Sequence, residues 1–142
     1  MIFRIFRPAQ SASWLEEVLR SIERALMAIA EFGFFPGDGD VKTQLTSKAT
    51  AVTLDAKTGQ ITTHNAALAA ATIVSFTLTN ARVAAADQIV CSHHSGGTIG
   101  AYTINGRATA NGTAQITLRN NTAGSLSEAL VIKFSIIKAF TA

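Results

Sequence analysis

The hydrophobic positions follow two different periods, and the change between them divides the chain into two parts. From Val41 onward, apolar and polar residues alternate with a period of two, as they do in half-buried strands. Before that point, apolar residues recur at spacings of four, three, four and three, which places them on one face of a helix. These residues are Leu15, Leu19, Ile22, Leu26 and Ile29. The pattern therefore predicts one amphipathic α-helix followed by a β-domain.

The helix is predicted to span residues 13–32. Ser13 and Glu16 form the Ser-x-x-Glu pattern of a capping box, which marks a helix start. Glu16 and Glu17 would then lie in the first turn, where negative charge interacts favourably with the helix dipole. Gly33 and Pro36 follow as stop signals.

The apolar face of this helix has the spacing of a coiled-coil seam. Leu19 and Leu26 occupy a positions, and Leu15, Ile22 and Ile29 occupy d positions. Leu at a with Ile at d favours three or four helices over two. Because an isolated helix of about 20 residues is only marginally stable in water, it needs a packing partner. Self-association is the favoured interpretation, and docking onto another protein or folding back onto its own β-domain are the alternatives.

Residues 1–12 are predicted to form an arm that precedes the helix. Such an apolar arm indicates either a segment that inserts into a partner or an edge strand of its own domain. Residues 33–41, rich in Gly, Pro and Asp, predict a linker. The residues predicted to anchor the chain are Ile2, Phe3, Arg4, Ile5, Phe6, Arg7 and Trp14.

Residues 42–142 are predicted to fold as an antiparallel β-sandwich or jelly roll of about eight strands. Short alternating segments are separated by turn signals such as Asn111-Gly112. The segment 65–71 is predicted to be either a helical turn or a loop that crosses between sheets. The candidate strands are 42–45, 50–54, 60–63, 73–79, 88–93, 102–106, 113–119 and 129–137.

Composition and charge narrow the choice of partners. The net charge of +3 is spread singly along the chain, without the basic clusters and interleaved aromatic residues of a nucleic-acid binder. No apolar run approaches the roughly 20 residues needed to span a bilayer. We therefore expect neither nucleic acid nor membrane as a partner. Cys91 is the single cysteine and lies in an apolar run, which favours a small buried hydrophobe.

No catalytic or metal-binding constellation emerges from the sequence. His93 and His94 are adjacent on a predicted strand and would point to opposite faces, which leaves an ion on a symmetry axis as the alternative. Asp55, Asp87 and Glu128 are far apart in sequence, so a carboxylate pair would have to be assembled by folding. The prediction is a protein that is not an enzyme and that binds no cofactor and no metal.

Five short motifs of the β-domain resemble a small domain of tailed-phage and prophage virion proteins. The family reads Gln-x-Thr-Ser-Lys, Val-Thr-Leu, Gly-x-Ile-Thr, Asn-Ala-Ala-Leu-Ala and Ala-Gly-Ser-Leu-Ser-Glu-Ala. The matching segments are Gln44–Lys48, Val52–Leu54, Gly59–Thr62, Asn65–Ala69 and Ala123–Ala129. The resemblance covers about residues 44–139, and the combined pattern is more specific than any single piece.

The resemblance implies a structural protein on the virion surface, made in the host cytoplasm. Its expected role is that of a homotrimeric head fibre or capsid decoration (cement) protein. Residues 1–40 do not match the family, so they are the expected anchor to the capsid or to another virion protein. The alternatives are a tail-associated fibre tip or receptor- or glycan-binding module, with a ligand on the host surface, and a polysaccharide-degrading tailspike fragment.

Overall fold

A computed structural model describes residues 8–30 and 39–139 of the chain. The chain divides into two compact units, Met1–Phe35 and Pro36–Ala142, which are described separately here. The predicted anchoring residues from Ile2 to Arg7 lie outside the described residues. The predicted stop signals Gly33 and Pro36 also lie outside them.

The first unit contains the helix α1, which spans Pro8–Ala30 and therefore begins earlier than predicted. The capping-box prediction is wrong, because Ser13 lies inside the helix and the first turn contains no acidic residue. Pro8 explains the earlier start, since its fixed φ suits the first helical position. The alanines that follow it favour continuation. Residues 8–12, which were assigned to the arm, are thus helical.

The second unit is a β-sandwich of eight strands, which confirms the predicted fold class. Sheet A has the strand order β1-β3-β8-β5, and sheet B has the order β2-β4-β7-β6. The strands are β1 (Gly39–Thr43), β2 (Val52–Thr53), β3 (Thr58–Thr62), β4 (Ile73–Thr79), β5 (Gln88–Ser95), β6 (Tyr102–Ala110), β7 (Thr113–Asn120) and β8 (Val131–Ile137).

Two pairings at the sheet edges are parallel, whereas the sequence predicted an antiparallel sandwich. β1 pairs in parallel with β3, and β2 pairs in parallel with β4; the other pairings are antiparallel. The reason is that the chain changes sheets at each of these early connections, so parallel neighbours are joined through a strand of the other sheet. Residues 39–41, assigned to the linker, belong to β1, whose five residues are all exposed and show no alternation in burial.

The core of the sandwich is built by alternate residues of both sheets. Ile61 and Phe134 of sheet A and Phe76 and Ile116 of sheet B are almost completely buried. The segment 65–71 is a loop that leads from β3 in sheet A to β4 in sheet B. Of the two predictions for this segment, the loop that crosses between sheets is confirmed.

The edges formed by β5 and β6 approach each other closely at Gly106. A Cβ atom at this position would lie 2.7 Å from the Cys91 sulfur, so a larger residue would force the two sheets apart. Cys91 packs against the core, and burial raises the pKa of its thiol to about 12. The thiol is therefore protonated and fills space between the sheets.

Asp87 connects the end of the last strand to the loop that precedes β5. Its side chain is 3% exposed and accepts hydrogen bonds from Lys138 Nζ at 2.7 Å, from the Ala84 amide at 2.7 Å and from the Ala139 amide at 3.1 Å. Burial by itself would raise the pKa of Asp87, but these hydrogen bonds hold it below its usual value.

The first prediction concerns this carboxylate. Asp87→Asn should lower the free energy of unfolding at pH 7 by about 1–3 kcal/mol, because a charge-assisted hydrogen bond is lost in a buried site. A depressed folded-state pKa stabilises the fold above the unfolded-state pKa, and this contribution is lost as pH falls through the folded-state pKa. Urea denaturation at pH 7 and pH 3 should therefore show a smaller difference between variant and wild type at pH 3.

The control is Asp55→Asn, since the Asp55 carboxylate accepts a hydrogen bond from the exposed amide of Ala81. Asp55→Asn should lower the free energy of unfolding at pH 7 by less than Asp87→Asn does. If Asp87→Asn lowered the free energy of unfolding by the same amount at pH 7 and at pH 3, the proposed electrostatic contribution would be contradicted.

Candidate functional site

The apolar face of α1 is exposed in the single chain. Four of the predicted seam residues retain between 49% and 55% of their accessible surface. They are Leu15, Leu19, Ile22 and Leu26. The side chain of the fifth, Ile29, lies outside the described residues. Because exposed aliphatic side chains at regular spacing are unfavourable in water, this face is the strongest candidate for an interaction surface.

The exposed surface is wider than the seam itself. Trp14 is 57% exposed and lies beside the seam at the N-terminal side of the described face. A groove of about 440 Å³ runs along this side of the helix. Its lining residues are Trp14, Glu17, Val18, Ser21, Ile22 and Ala25. With Val18 and Ala25 at g positions, the apolar arc covers the a, d and g positions and is extended at one c position by Trp14, which suits a bundle of more than two helices.

One of the two polar residues that line this groove, Ser21, already has a hydrogen-bond partner in its own helix. The Ser21 hydroxyl donates to the Glu17 carbonyl at 2.9 Å. Burying Ser21 against a second surface would therefore leave no unsatisfied hydroxyl donor. Covering the remaining exposed half of each seam side chain would contribute roughly 1 kcal/mol per residue.

The β-domain contains a buried polar network that the sequence did not reveal. Lys48 is 4% exposed, and its ammonium group donates to the carbonyls of His64 and Glu128. The Gln44 side chain donates to the Thr50 carbonyl at 2.7 Å and accepts from the His64 amide at 3.2 Å. Burial lowers the pKa of Lys48, and the negative charge of Glu128 opposes this shift.

Asn120 extends the network to two further loops. Its side chain is completely buried and donates to the carbonyls of Leu68 at 2.9 Å and Gly124 at 2.8 Å. Leu68 and Leu126 also form an isolated β-bridge. Three of the motifs that carry the phage resemblance, at 44–48, 65–69 and 123–129, are thus joined at one end of the sandwich.

Glu128 ties the β5–β6 loop to this end of the domain. Its carboxylate accepts hydrogen bonds from the Thr98 amide at 2.7 Å and the Thr98 hydroxyl at 3.2 Å. The hydrogen bond from the Thr98 amide has the largest of the effects that lower the pKa of Glu128. Burial and the neighbouring Glu128 carboxylate raise the pKa of the Tyr102 hydroxyl. The carboxylate is therefore engaged in positioning a loop.

The histidines do not form a shared site within one chain. The His93 ring is half-buried, packs edge-on against Tyr102 and lies 2.6 Å from the Gly96 carbonyl through Nε2. His94 is exposed where the register of β5 against β8 shifts. Within residues 8–30 and 39–139, no group of three or more His, Cys, Asp or Glu side chains is placed to hold a metal ion. An ion on a symmetry axis stays an untested alternative.

Asp87 and Glu128, two of the three acidic residues that could have formed a catalytic pair, are separated by the fold. Asp87 precedes the start of β5, and Glu128 lies near the start of β8, which runs antiparallel to β5. These two carboxylates therefore lie at opposite ends of sheet A. Asp55 accepts a hydrogen bond from the Ala81 amide at 2.7 Å.

Comparisons with protein-family models, curated proteins and solved structures find no match for this chain. The resemblance to a phage virion domain thus stays a prediction from the motifs alone. Among the residues that the structure describes, no helix has the length and apolar character needed to cross a bilayer.

Gln44 and Lys48 belong to one of the sequence motifs, but the motif does not indicate what either residue does. A lysine in a loop between short strands ordinarily lies in solvent, so burial could not be inferred from its position. The available signal was the scarcity of charge, since charged residues make up 15% of the chain. In a chain with so few charges, a lysine within a motif is a candidate for a structural role.

The second prediction tests the network. Lys48→Met keeps an unbranched apolar stem but removes the ammonium group, which leaves the His64 and Glu128 carbonyls without this donor. We expect the free energy of unfolding to fall by about 1–3 kcal/mol in urea denaturation. Lys42→Met, at an exposed position of β1, is the matched control and should change stability by less than about 0.5 kcal/mol. Equal effects of the two substitutions would contradict the structural role of Lys48.

Proposed function

We propose that the chain is a homotrimeric structural protein of a tailed-phage virion, a head fibre or a capsid decoration protein. In this proposal α1 associates with its copies, the N-terminal segment attaches to the capsid or to another virion protein, and the β-domain projects from the particle. The single observation that carries the association is the exposed apolar face of α1, with its coiled-coil spacing.

The composition of the core supports a separate task for the helix. Among the described residues, the buried hydrophobic side chains all lie in the segment from Val52 to Ile136. The β-domain therefore builds its core from its own strands and loops. The apolar face of α1 remains available for a different surface, and a helix with that much apolar area requires one.

The number of copies rests on the residues at the seam. Leu19 and Leu26 at a positions with Ile22 at a d position favour three or four helices. The wide apolar arc supports the same range, because each helix in such a bundle contacts two neighbours. Three is proposed because the resembled virion proteins are trimeric.

The virion assignment rests on the resemblance, and one structural observation supports it. The motif residues Gln44 and Lys48 and the motif segments 65–69 and 123–129 meet in one hydrogen-bonded network. Residues that depend on one another in this way form a joint pattern that is more specific than scattered matches. The uncharged Thr- and Asn-rich surface suits a domain exposed on a particle.

A second candidate function is a tail-associated receptor-binding module. The loops at the Lys48 end expose Leu45 and Ile99, which retain 83% and 90% of their accessible surface. This end lies opposite Gly39, where the chain enters the sandwich, because Gly39 pairs with Thr58 at the start of β3. Tyr102 is buried, however, so it supplies no exposed aromatic platform for a glycan.

The third prediction tests the association. Light scattering should give a mass three times the 14.9 kDa of the chain. Ile22→Asp should convert the trimer to monomer at micromolar concentration, because a charge at a buried d position must be desolvated in every copy. Circular dichroism should show that the β-signal is retained.

The matched control is Met27→Asp, which introduces the same charge at an exposed position off the seam. This variant should remain trimeric. A monomeric wild-type protein would contradict self-association. Loss of the β-signal in Ile22→Asp would instead indicate that the helix packs onto its own β-domain.

The fourth prediction tests attachment to the virion. Particles of the phage or prophage that encodes the chain, assembled without it, should bind the full-length protein in co-sedimentation. Deletion of residues 1–7 should reduce this binding at least tenfold while the protein remains trimeric, since those residues include four large apolar side chains. Equal binding by both proteins would show that the attachment site lies outside residues 1–7. No binding by the full-length protein would contradict the virion assignment.

A further inference from the structure

The two flanks of the coiled-coil seam of α1 differ in charge. In the heptad register of the seam, Glu16 and Glu23 occupy the e positions of the segment whose side chains the structure describes. Both glutamates are exposed. The g positions on the other side of the seam hold Val18 and Ala25, which carry no charge. One flank of the helix is therefore acidic and the other is apolar.

The acidic flank disfavours an antiparallel arrangement of the helices. In an antiparallel pair, the e positions of one helix face the e positions of the other. When the seam from Leu15 to Leu26 is aligned with itself in this orientation, Glu16 of one copy lies opposite Glu23 of the other. The reciprocal contact forms as well, so each pair of helices brings together two pairs of like charges. These charges repel each other, which destabilises the antiparallel pair.

A parallel arrangement removes this repulsion. In a parallel bundle whose helices are in register, each e position faces the g flank of the neighbouring helix. Glu23 of one copy then lies between Val18 and Ala25 of the next copy. Its methylene groups can pack against these apolar side chains while its carboxylate extends into water. The acidic flank of one helix thus meets the uncharged flank of the next.

The groove beside the seam supplies a complementary polar contact in the parallel orientation. Trp14 lines this groove, is exposed and occupies a c position next to the g flank. In the parallel register, Glu16 of the neighbouring copy lies at the height of this indole. The indole N–H is a donor and the carboxylate is an acceptor, so a charge-assisted hydrogen bond can join the two copies. In an antiparallel pair, Trp14 would face Ala25 and Ala28 instead, whose side chains offer no acceptor.

We infer that the apolar face of α1 is covered by copies of the same helix in parallel orientation, and that Glu16 and Glu23 exclude the antiparallel one. This inference rests on the proposed helix-driven trimer and concerns α1 alone. Parallel helices gather their three Pro8 ends at the same end of the bundle. The proposed attachment to the virion would then be made by three N-terminal segments at once, which raises its avidity.

Disulfide cross-linking of the full-length protein tests the orientation. The double variant Leu15→Cys/Leu26→Cys places one thiol near each end of the seam, and it is oxidised in a glutathione redox buffer. Parallel helices link position 15 to 15 and position 26 to 26 of another copy, whereas antiparallel helices link 15 to 26. Trypsin cleaves after Arg20 and Arg24, so mass spectrometry finds the two positions on different peptides. Wild-type protein measures the background from Cys91.

In the double variant, links between like positions should exceed links between positions 15 and 26 at least tenfold. A smaller ratio, or no links at all, in a variant that light scattering shows to be trimeric would overturn the parallel orientation and leave self-association standing. If the double variant is monomeric, the single variants Leu15→Cys and Leu26→Cys replace it. Each should link to itself, and failure of a trimeric single variant to do so would overturn the inference. A monomeric wild-type protein would overturn both proposals.

A charge reversal tests the role of the glutamates. Adding Glu16→Lys to the double variant should lower the ratio of like-position links to 15–26 links at least threefold, because a lysine opposite Glu23 attracts it in the antiparallel pair. The matched control is Glu17→Lys, which makes the same charge change at an f position outside the seam and should leave the ratio unchanged. Equal ratios in these two variants would overturn the role assigned to Glu16.

Discussion

Apolar surface that the chain exposes has to be covered, and this constraint governs both units of the protein. The β-domain meets it internally, since alternate residues of two sheets bury one another in a core that includes Ile61, Phe134 and Ile116. The helix does not, because its Leu and Ile side chains remain about half exposed in the single chain. Covering these side chains against a second surface would release further free energy.

Within the β-domain, a second constraint acts on polar groups rather than apolar ones. Several strands are short, and β2 has only two residues, so backbone pairing alone leaves long loops to be held in place. Buried side chains supply the missing hydrogen bonds. Lys48 satisfies two loop carbonyls and Asn120 satisfies carbonyls on two other loops. Because each unsatisfied buried group would cost about 1–3 kcal/mol, these residues are interdependent.

The two units of the protein therefore differ in where their apolar side chains lie. The helix carries an exposed apolar face, whereas the β-domain buries its apolar side chains in its own core. The end that carries Leu45 and Ile99 is the part of the β-domain farthest along β1 from the entry of the chain. In the proposed virion protein, this end of the β-domain would be the one presented outward.

The periodicity of the sequence determined which kinds of element form and where most of them lie. Segments that overlap all eight strands, and the exposed apolar helix positions from Leu15 to Leu26, were predicted from it, because periods of two and of 3.6 are local consequences of backbone geometry. The start of α1 at Pro8 did not follow, since the signature of a helix cap does not show whether the preceding residues are also helical.

Tertiary structure alone decided the parallel pairing of β1 with β3 and of β2 with β4, and the burial of Lys48 and Asn120. Each of these depends on which segments meet in space. That outcome is set by long-range packing and by the matching of buried hydrogen-bond partners, which local pattern does not encode.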